Sequence, residues 1–398
     1  MGRRMKKIGK WFAVGLFVTG LTGCSVPDLS GILESQKQPQ TVIQESEADT
    51  PMDSENQAAA KPTEEQPTET KSEVPEPVIS TVTVTAVGDC TLGVTQTHGY
   101  AGSFHEYYDK FGENYFFDGV REIFEKDDFT LINLECVLSE SEYRVEKDWN
   151  LKGKPEYVGI MKNSSVEGCS LGNNHTLDYG ESSLEDTKRV LDEAGIIYGL
   201  NEHVATYTTE SGIVVGIVSS NLLWKDEVHA NYVKDGIEAL RNMGADLVLV
   251  SCHWGTEREH YPNDYQKTMA HKMIDWGADV LIGTHPHVLQ GVELYNGKLI
   301  CYSLGNFCFG GNRNPQDKDT AVFQQTFTFV DGVLQGDINA EIIPCTISSV
   351  STRNDFQPTI AEGEKRSKIL ENMNAYSKDY SEICFGDDGK LMLTEVAE

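Results

Sequence analysis

The sequence predicts an α/β fold, a layered α/β sandwich with mixed β-sheets that follows a disordered N-terminal tether. Three observations predict it. Short β-branched runs alternate with helical patterns between residues 81 and 282. Closely spaced strands joined by tight turns take over from residue 288. Polar side chains recur just beyond the ends of the apolar runs, where the loops of open α/β sheets gather into one crevice.

Residues 1–23 stand apart from that body. Arg3, Arg4, Lys6, Lys7 and Lys10 form a basic head, and Trp11 to Val18 is an apolar run too short to span a bilayer. Leu21-Thr22-Gly23-Cys24 follows. This order resembles a bacterial lipoprotein signal. The resemblance implies cleavage before Cys24, lipidation of that thiol, membrane lipid as a partner, and a body on the extracytoplasmic face of the cell membrane. An uncleaved anchor with an incidental cysteine is the alternative. Residues 24–80 read as a tether. From residue 25 onward they hold seven of the 13 prolines, twelve acidic residues against three lysines, and no aromatic residue. Such a stretch buries too little apolar surface to offset its ordering entropy, and its charge and prolines keep it extended.

The body is expected over residues 81–345. Thr81 to Val87 reads as a strand closed by Gly88-Asp89, and Phe129–Asn133 as a second. Ser182–Ala194 reads as a helix and Ile196–Tyr198 and Ile213–Val218 as strands. Asp235–Met243 reads as a helix, Asp246–Ser251 as a strand, Tyr265–Trp276 as a helix closed by Gly277, and Val280–Ile282 as a strand. Then come Val288–Tyr295, Lys298–Ser303, Ala321–Phe329 and Val333–Ile343, with Asn296-Gly297 and Asp331-Gly332 as hairpin turns. Residues 346–398 are expected as an extension packed on the body, with a helix over Glu364–Tyr376.

The 398 residues carry 62 Asp+Glu against 33 Lys+Arg, a formal net charge of −29. A nucleic-acid partner is therefore not expected, because phosphates require a basic groove. The polar clusters are more informative. Asp89 follows the first strand, Asn133-Leu134-Glu135 the second, and Gly172-Asn173-Asn174-His175 with Asp178 the segment Val166–Leu171. His253-Trp254-Gly255-Thr256-Glu257, His285-Pro286-His287 and Ser303-Leu304-Gly305-Asn306-Phe307 follow three more. Carboxylates, carboxamides and neutral imidazoles converging from these loops suit a divalent metal such as Mn, Zn or Fe. In His285-Pro286-His287, spacing by two places both imidazoles on one face if the segment is extended.

Eight cysteines follow Cys24, none in a C-x-x-C pair, and buried small hydrophobes is the favoured reading; Cys301 and Cys308 are the best disulfide candidates. His260 and His271 are expected at the surface, and Trp254 in the core or as a wall of the crevice. No glycine-rich phosphate loop and no Gly-x-Ser-x-Gly elbow occurs.

Together the six polar motifs resemble the CapA family of poly-γ-glutamate capsule synthesis proteins, whose domain is similar to calcineurin-like metallophosphoesterases. The match runs from Val82 to about Phe309. The resemblance implies that Asp89 and His287 ligate one metal, that Glu135 bridges two, and that Asn174, His253 and His285 complete the second site. It places His175 as the general acid, with Asp178 orienting it or serving as an ordinary acid near a helix start. Glu257 is either a partner of an imidazole or a substrate contact, and Asn306 is expected at the substrate. Phosphoesterases place a His two residues after the first Asp; here Thr91 stands there, so the cofactor is one ion or two. The implied function is assembly or export of an anionic surface polymer, with a metal-dependent phosphoester hydrolase site. The alternative is a non-catalytic accessory that binds the polymer or its synthase complex.

Overall fold

The computed structural model describes residues 76–394. The lipoprotein signal, Cys24 and the tether as far as residue 75 lie outside the described residues. Among the described residues, no helix is long and apolar enough to cross a membrane.

Two mixed sheets are stacked with helices on their outer faces. The first is built on β1 (Ile79–Thr91), β2 (Phe129–Leu134), β3 (Gly168–Ser170) and β4 (Ile197–Gly199), all parallel. The second contains β5 (Ala205–Thr208), β6 (Val214–Asn221), β7 (Leu247–His253), β8 (Val280–Thr284), β9 (Val292–Tyr295) and β10 (Lys298–Cys301). Its central strands β6, β7, β8 and β10 are parallel, and β5 and β9 are antiparallel edges. The chain then returns to the first sheet. β11 (Asn306–Phe309) runs parallel to the end of β1, while β12 (Asp319–Val330) and β13 (Asn339–Thr346) add antiparallel strands beside its start.

Period-two alternation holds the layers together. In β7, Leu247 and Leu249 enter the core between the sheets, whereas Val248, Val250 and Cys252 enter the core under the outer helices. In β8, Val280 and Ile282 face inward and Leu281 outward in the same way. Each of these apolar side chains is essentially inaccessible to solvent, worth roughly 1.5–3 kcal/mol apiece. The outer layers comprise α1 (Phe104–Phe111) and α2 (Glu181–Ala194) behind the first sheet, and α3 (Glu227–Asn242) and α4 (Asp264–Asp275) behind the second. Helix α5 (Gly363–Ser377) inserts Ile369, Leu370 and Met373 into the inter-sheet core.

Several boundaries differ from the expected ones for local reasons. Helix α3 starts eight residues before Asp235, because Asp226 accepts the His229 N–H and caps it. Helix α4 begins on a capping box of Asn263 and Gln266. The strand expected from Val288 begins at Val292; residues 288–291 form the approach to it, with Leu289 bridged to Leu304. The strand expected over Val333–Ile343 is split into a two-residue hairpin partner of β12 and a separate β13. Helix α1 was not read from the sequence. It docks through Phe104, which stacks on Phe116 with ring centroids 4.2 Å apart.

The eight described cysteines are free thiols, and seven are buried. The candidate pair Cys301 and Cys308 is not bridged. Cys301 belongs to the core between the sheets and Cys308 to the core behind the first sheet, so a packed layer separates them.

Candidate metal centre

The registers of the two sheets bring the polar residues into one place. In the first sheet, Asp89 pairs with Asn133 on one side and Asn306 on the other. A β-bulge between Ala86 and Asp89 sets three residues of β1 against two of β2, and re-aims the strand end at Asp89. Gly88 sits in this bulge because a Cβ there would lie 1.9 Å from the Gly305 carbonyl oxygen. In the second sheet, His253 pairs with Thr284. The chain then turns through His285 and His287 with φ of 95° and 57°. The extended geometry expected for His285-Pro286-His287 is therefore not what converges the two rings. Two left-handed residues do so, and such backbone carries strain of about 1–3 kcal/mol per residue. The ring centroids end 5.8 Å apart.

Glu135 is the centre of the cluster. It is fully buried, and neither carboxylate oxygen has a hydrogen-bond partner. It is shared between two groups whose donor atoms lie within 4.8 Å of one another: Glu135 with His253 and His285, and Glu135 with Asp89 and His287. Glu257, which is exposed, joins His285 and His287 in a third group. Asn174 places Oδ1 2.9 Å from His253 Nε2, and that nitrogen lies 3.2 Å from His285 Nδ1.

Electrostatics match this arrangement. Burial drives the Glu135 carboxyl well above the ordinary range, and the Asp89 charge adds to it. Burial holds His253 well below its ordinary value, with His285 and His287 adding to the effect. His285 is pushed down to about 4, by burial first and then by His287. Burial also opposes a charge on His287, but Glu135 and Asp89 outweigh it and carry that imidazole to about 10. An unpartnered carboxylate at zero exposure is costly unless a cation meets it. The donor set fits a divalent ion on that ground, with carboxylate and imidazole donors presented together.

The remaining predicted residues fall around this cluster. Asp89 Oδ1 accepts from Asn133 Nδ2 at 2.8 Å, and Asp89 Oδ2 lies 3.1 Å from His287 Nδ1. Asn306 grips His287: its Oδ1 is 3.0 Å from Nδ1, and its Nδ2 donates to the His287 carbonyl at 3.1 Å. His175 is 7 % exposed, with Nδ1 2.7 Å from Asp178 Oδ2 and Nε2 3.9 Å from Glu135. Asp178 precedes helix α2 instead of lying in its first turn, and only 1 % of it is exposed. Burial lowers the His175 imidazole, against the pull of Asp178. Thr91 donates its hydroxyl to the Glu135 backbone carbonyl, so the position discussed for an imidazole braces the shared carboxylate's backbone. Asn174, His175, Glu257, His287 and Asn306 all line one cavity of about 710 Å³. Trp254 is fully buried, donating its indole N–H to the Tyr302 carbonyl; His260 is half-buried in the wall of the same cavity, and His271 is half-buried beside Glu293.

Sequence reasoning missed a relay behind the cluster. Asn173 donates to Asn133 Oδ1 at 3.1 Å and to the Leu134 carbonyl, and its own Oδ1 accepts the His175 N–H. Thr284 holds His253 Nδ1 at 3.0 Å. The position of Asn133 two residues before Glu135 was the available signal, since alternate strand residues share a face. Lys147, which donates to the Asn174 carbonyl, lies in an irregular segment and carried no signal at all.

A family model described as bacterial capsule synthesis protein PGA_cap matches residues 83–311. The PGA biosynthesis protein CapA of Bacillus subtilis is 32 % identical over 220 residues, 50 % of this chain and 57 % of that protein. The capsule biosynthesis protein CapA of Bacillus anthracis is 31 % identical over 271 residues, 61 % of this chain and 63 % of that protein. A probable polyglutamine synthesis accessory protein of Mycobacterium tuberculosis is 26 % identical over 208 residues, 45 % of this chain and 55 % of that protein. These matches span between half and two thirds of the length of each relative.

Proposed function

The chain belongs to the bacterial capsule synthesis protein family PGA_cap, and from that membership we propose that it serves the assembly or export of an anionic surface polymer through a divalent-metal hydrolase centre acting on a phosphoester. One observation carries the hydrolase part: the fully buried Glu135 carboxylate, unpartnered and common to two clusters of metal-ligating side chains. Mn, Zn or Fe is the expected ion. On this reading Glu135, His253, His285 and Asn174 hold one position, and Asp89, His287 and Glu135 a second. The chemistry such an ion supplies when bound is polarisation of a phosphoryl oxygen and activation of a water.

The chain's own residues supply the rest. Asp178 fixes the His175 ring through Nδ1, which leaves Nε2 directed to the cluster to hold the proton for a leaving oxygen. Arg258 in the cavity wall offers positive charge to an anionic substrate, and Glu257 and Asn306 bound the same space. We place the body outside the cytoplasm, held by lipid on Cys24, on the strength of the N-terminal sequence alone.

The test is elemental mass spectrometry of the purified chain, wild type beside His285→Ala, followed by assay of a simple phosphodiester with the metal found. Bound metal lost in the variant, with metal-dependent turnover, is the expected result. A chain that takes up no Mn, Zn or Fe on reconstitution would sink the hydrolase reading and favour a non-catalytic accessory of a synthase complex.

A further inference from the structure

Lys147 is placed unlike a surface lysine. Its side chain is 30 % exposed, yet its ammonium turns inward. It pairs with Asp178 Oδ1, donates to the Asn174 carbonyl at 2.9 Å and stands 3.4 Å from His175 Nδ1. A solvated lysine would extend its head into water and keep its rotamer freedom. Here that freedom is given up against three groups of one turn, residues 174–178.

The segment that brings Lys147 there has no helix or strand of its own between Ser139 and Asn150. It is pinned to the same aspartate. The Val145 N–H and Asn150 Nδ2 both donate to the Asp178 carbonyl at 3.1 Å, and the Leu151 N–H donates to its carboxylate. The Asn150 N–H is further tied to Gln96, whose amide donates to the Asp148 carbonyl. Asp178 thus has two faces. One oxygen takes the His175 ring, and the other meets the Lys147 ammonium. A carboxylate at 1 % exposure requires such a cation, because burying its charge alone is costly.

We propose that Lys147 is a positioning residue for His175: it holds Asp178 and the Asn174 carbonyl in register, so that the imidazole keeps its Nδ1–H on Asp178 and its Nε2 toward Glu135. The role of His175 as proton donor rests on the hydrolase reading above, whereas the ring geometry does not.

The test therefore has two arms, both on the full chain. The first follows the His175 imidazole in a ¹⁵N-histidine-labelled protein, assigned by comparison with His175→Ala. Wild type is expected to give a hydrogen-bonded Nδ1–H signal that is lost in Lys147→Met and restored in Lys147→Arg. Lys147→Gln serves if the methionine variant does not fold, as judged by circular dichroism. An unchanged signal in the neutral variant overturns the proposal. The second arm compares phosphodiesters with a nitrophenyl and an alkyl leaving group on the metal-loaded chain. A well-placed acid matters for the alkoxide and little for the nitrophenolate. Lys147→Met should lose about tenfold more kcat on the alkyl ester than on the activated one, with bound metal retained. Equal losses on both esters overturn the proposal as a merely structural effect. Should wild type turn over neither ester, the hydrolase reading fails, and the imidazole signal alone decides the role of Lys147.

Discussion

Carboxylates occur at both ends of the first sheet, half-buried at one and fully buried at the other, and they are treated differently. At the end where the parallel strands begin, each accepts a hydrogen bond from a strand residue. Asp128 accepts the Thr83 N–H at 2.8 Å, Glu167 accepts the Thr130 N–H at 2.8 Å, and Asp127 accepts the Thr130 hydroxyl at 2.7 Å. At the end where the strands finish, Asp89 is bonded, but Glu135 is left with two open oxygens and a ring of imidazoles. The first end is explained by strand hydrogen bonds alone. At the second, the groups that face the Glu135 carboxylate are imidazoles at 3.5 Å and beyond, an arrangement that could hold an ion. Full burial together with the lack of a hydrogen-bond partner therefore sets Glu135 apart from them.

The largest break in that contrast is expected from Glu135→Gln beside Asp128→Asn. Glu135→Gln should abolish metal uptake, measured by elemental mass spectrometry. In the metal-free protein it should stabilise at neutral pH, because the buried group can no longer ionise beside Asp89; on the order of 1–3 kcal/mol is expected in urea unfolding. Asp128→Asn should leave metal uptake intact and weaken the fold, because the Thr83 N–H loses a charged acceptor. Loss of stability in metal-free Glu135→Gln would contradict the contrast.

Next in size is the acid. His175→Ala should retain metal yet lose about 10²–10⁴-fold in turnover on an unactivated phosphoester, measured as kcat at saturating substrate. Retained turnover would remove His175 from the chemistry and leave its bond to Asp178 as local packing. A third effect compares two glycines of the same sheet. A Cβ on Gly88, at the finishing end, would meet the Gly305 backbone oxygen at 1.9 Å, whereas one on Gly168, at the beginning end, would meet the edge of the Phe129 ring at 2.5 Å. A ring can swing where a paired strand cannot. Gly88→Ala should therefore cost about 3 kcal/mol and reduce metal uptake, and Gly168→Ala about 1 kcal/mol with uptake unchanged. Equal costs in urea unfolding would show that the bulge is more pliable than its contacts suggest.

Much of the fold was legible because β7 and β8 alternate between two cores, a pattern that side-chain order alone displays. The polar residues that follow those strands were legible for the same reason, since strand ends fix where they fall. What could not be read depended on contacts distant in sequence. The left-handed turns at His285 and His287 carry only a weak residue signal, because histidine adopts such backbone more often than most side chains but far less readily than glycine. Helix α1 is short and held by aromatic contacts with Phe116 and Phe356, the latter some 250 positions away in the chain. Lys147 acquires its role only when residues 139–150 fold across Asp178, and nothing in its neighbours forecasts that.

The smallest effect tests the beginning end of the sheet on its own terms. Burial raises both Asp127 and Glu167 to about 7, from ordinary values of 3.8 and 4.5. Between those limits the folded chain retains protons that the unfolded chain has released. The unfolded state therefore gains from ionisation first, and stability from these two groups is lost as pH rises from about 4 to about 7, then changes no further. Both groups are only partly buried, and solvent at their edges leaves roughly 1 kcal/mol each. Asp127→Asn and Glu167→Gln should match wild type most closely at about pH 4 and exceed it relatively by about pH 7.5, with urea midpoints compared at matched ionic strength. The two changes should not add fully, because each charge raises the cost of ionising the other. A wild-type-minus-variant difference that stays flat with pH would mean that these carboxylates ionise freely. The hydrogen bonds to Thr130 would then suffice to hold them as charged groups, and the beginning end of the sheet would differ from the candidate metal centre even more sharply than its burial suggests.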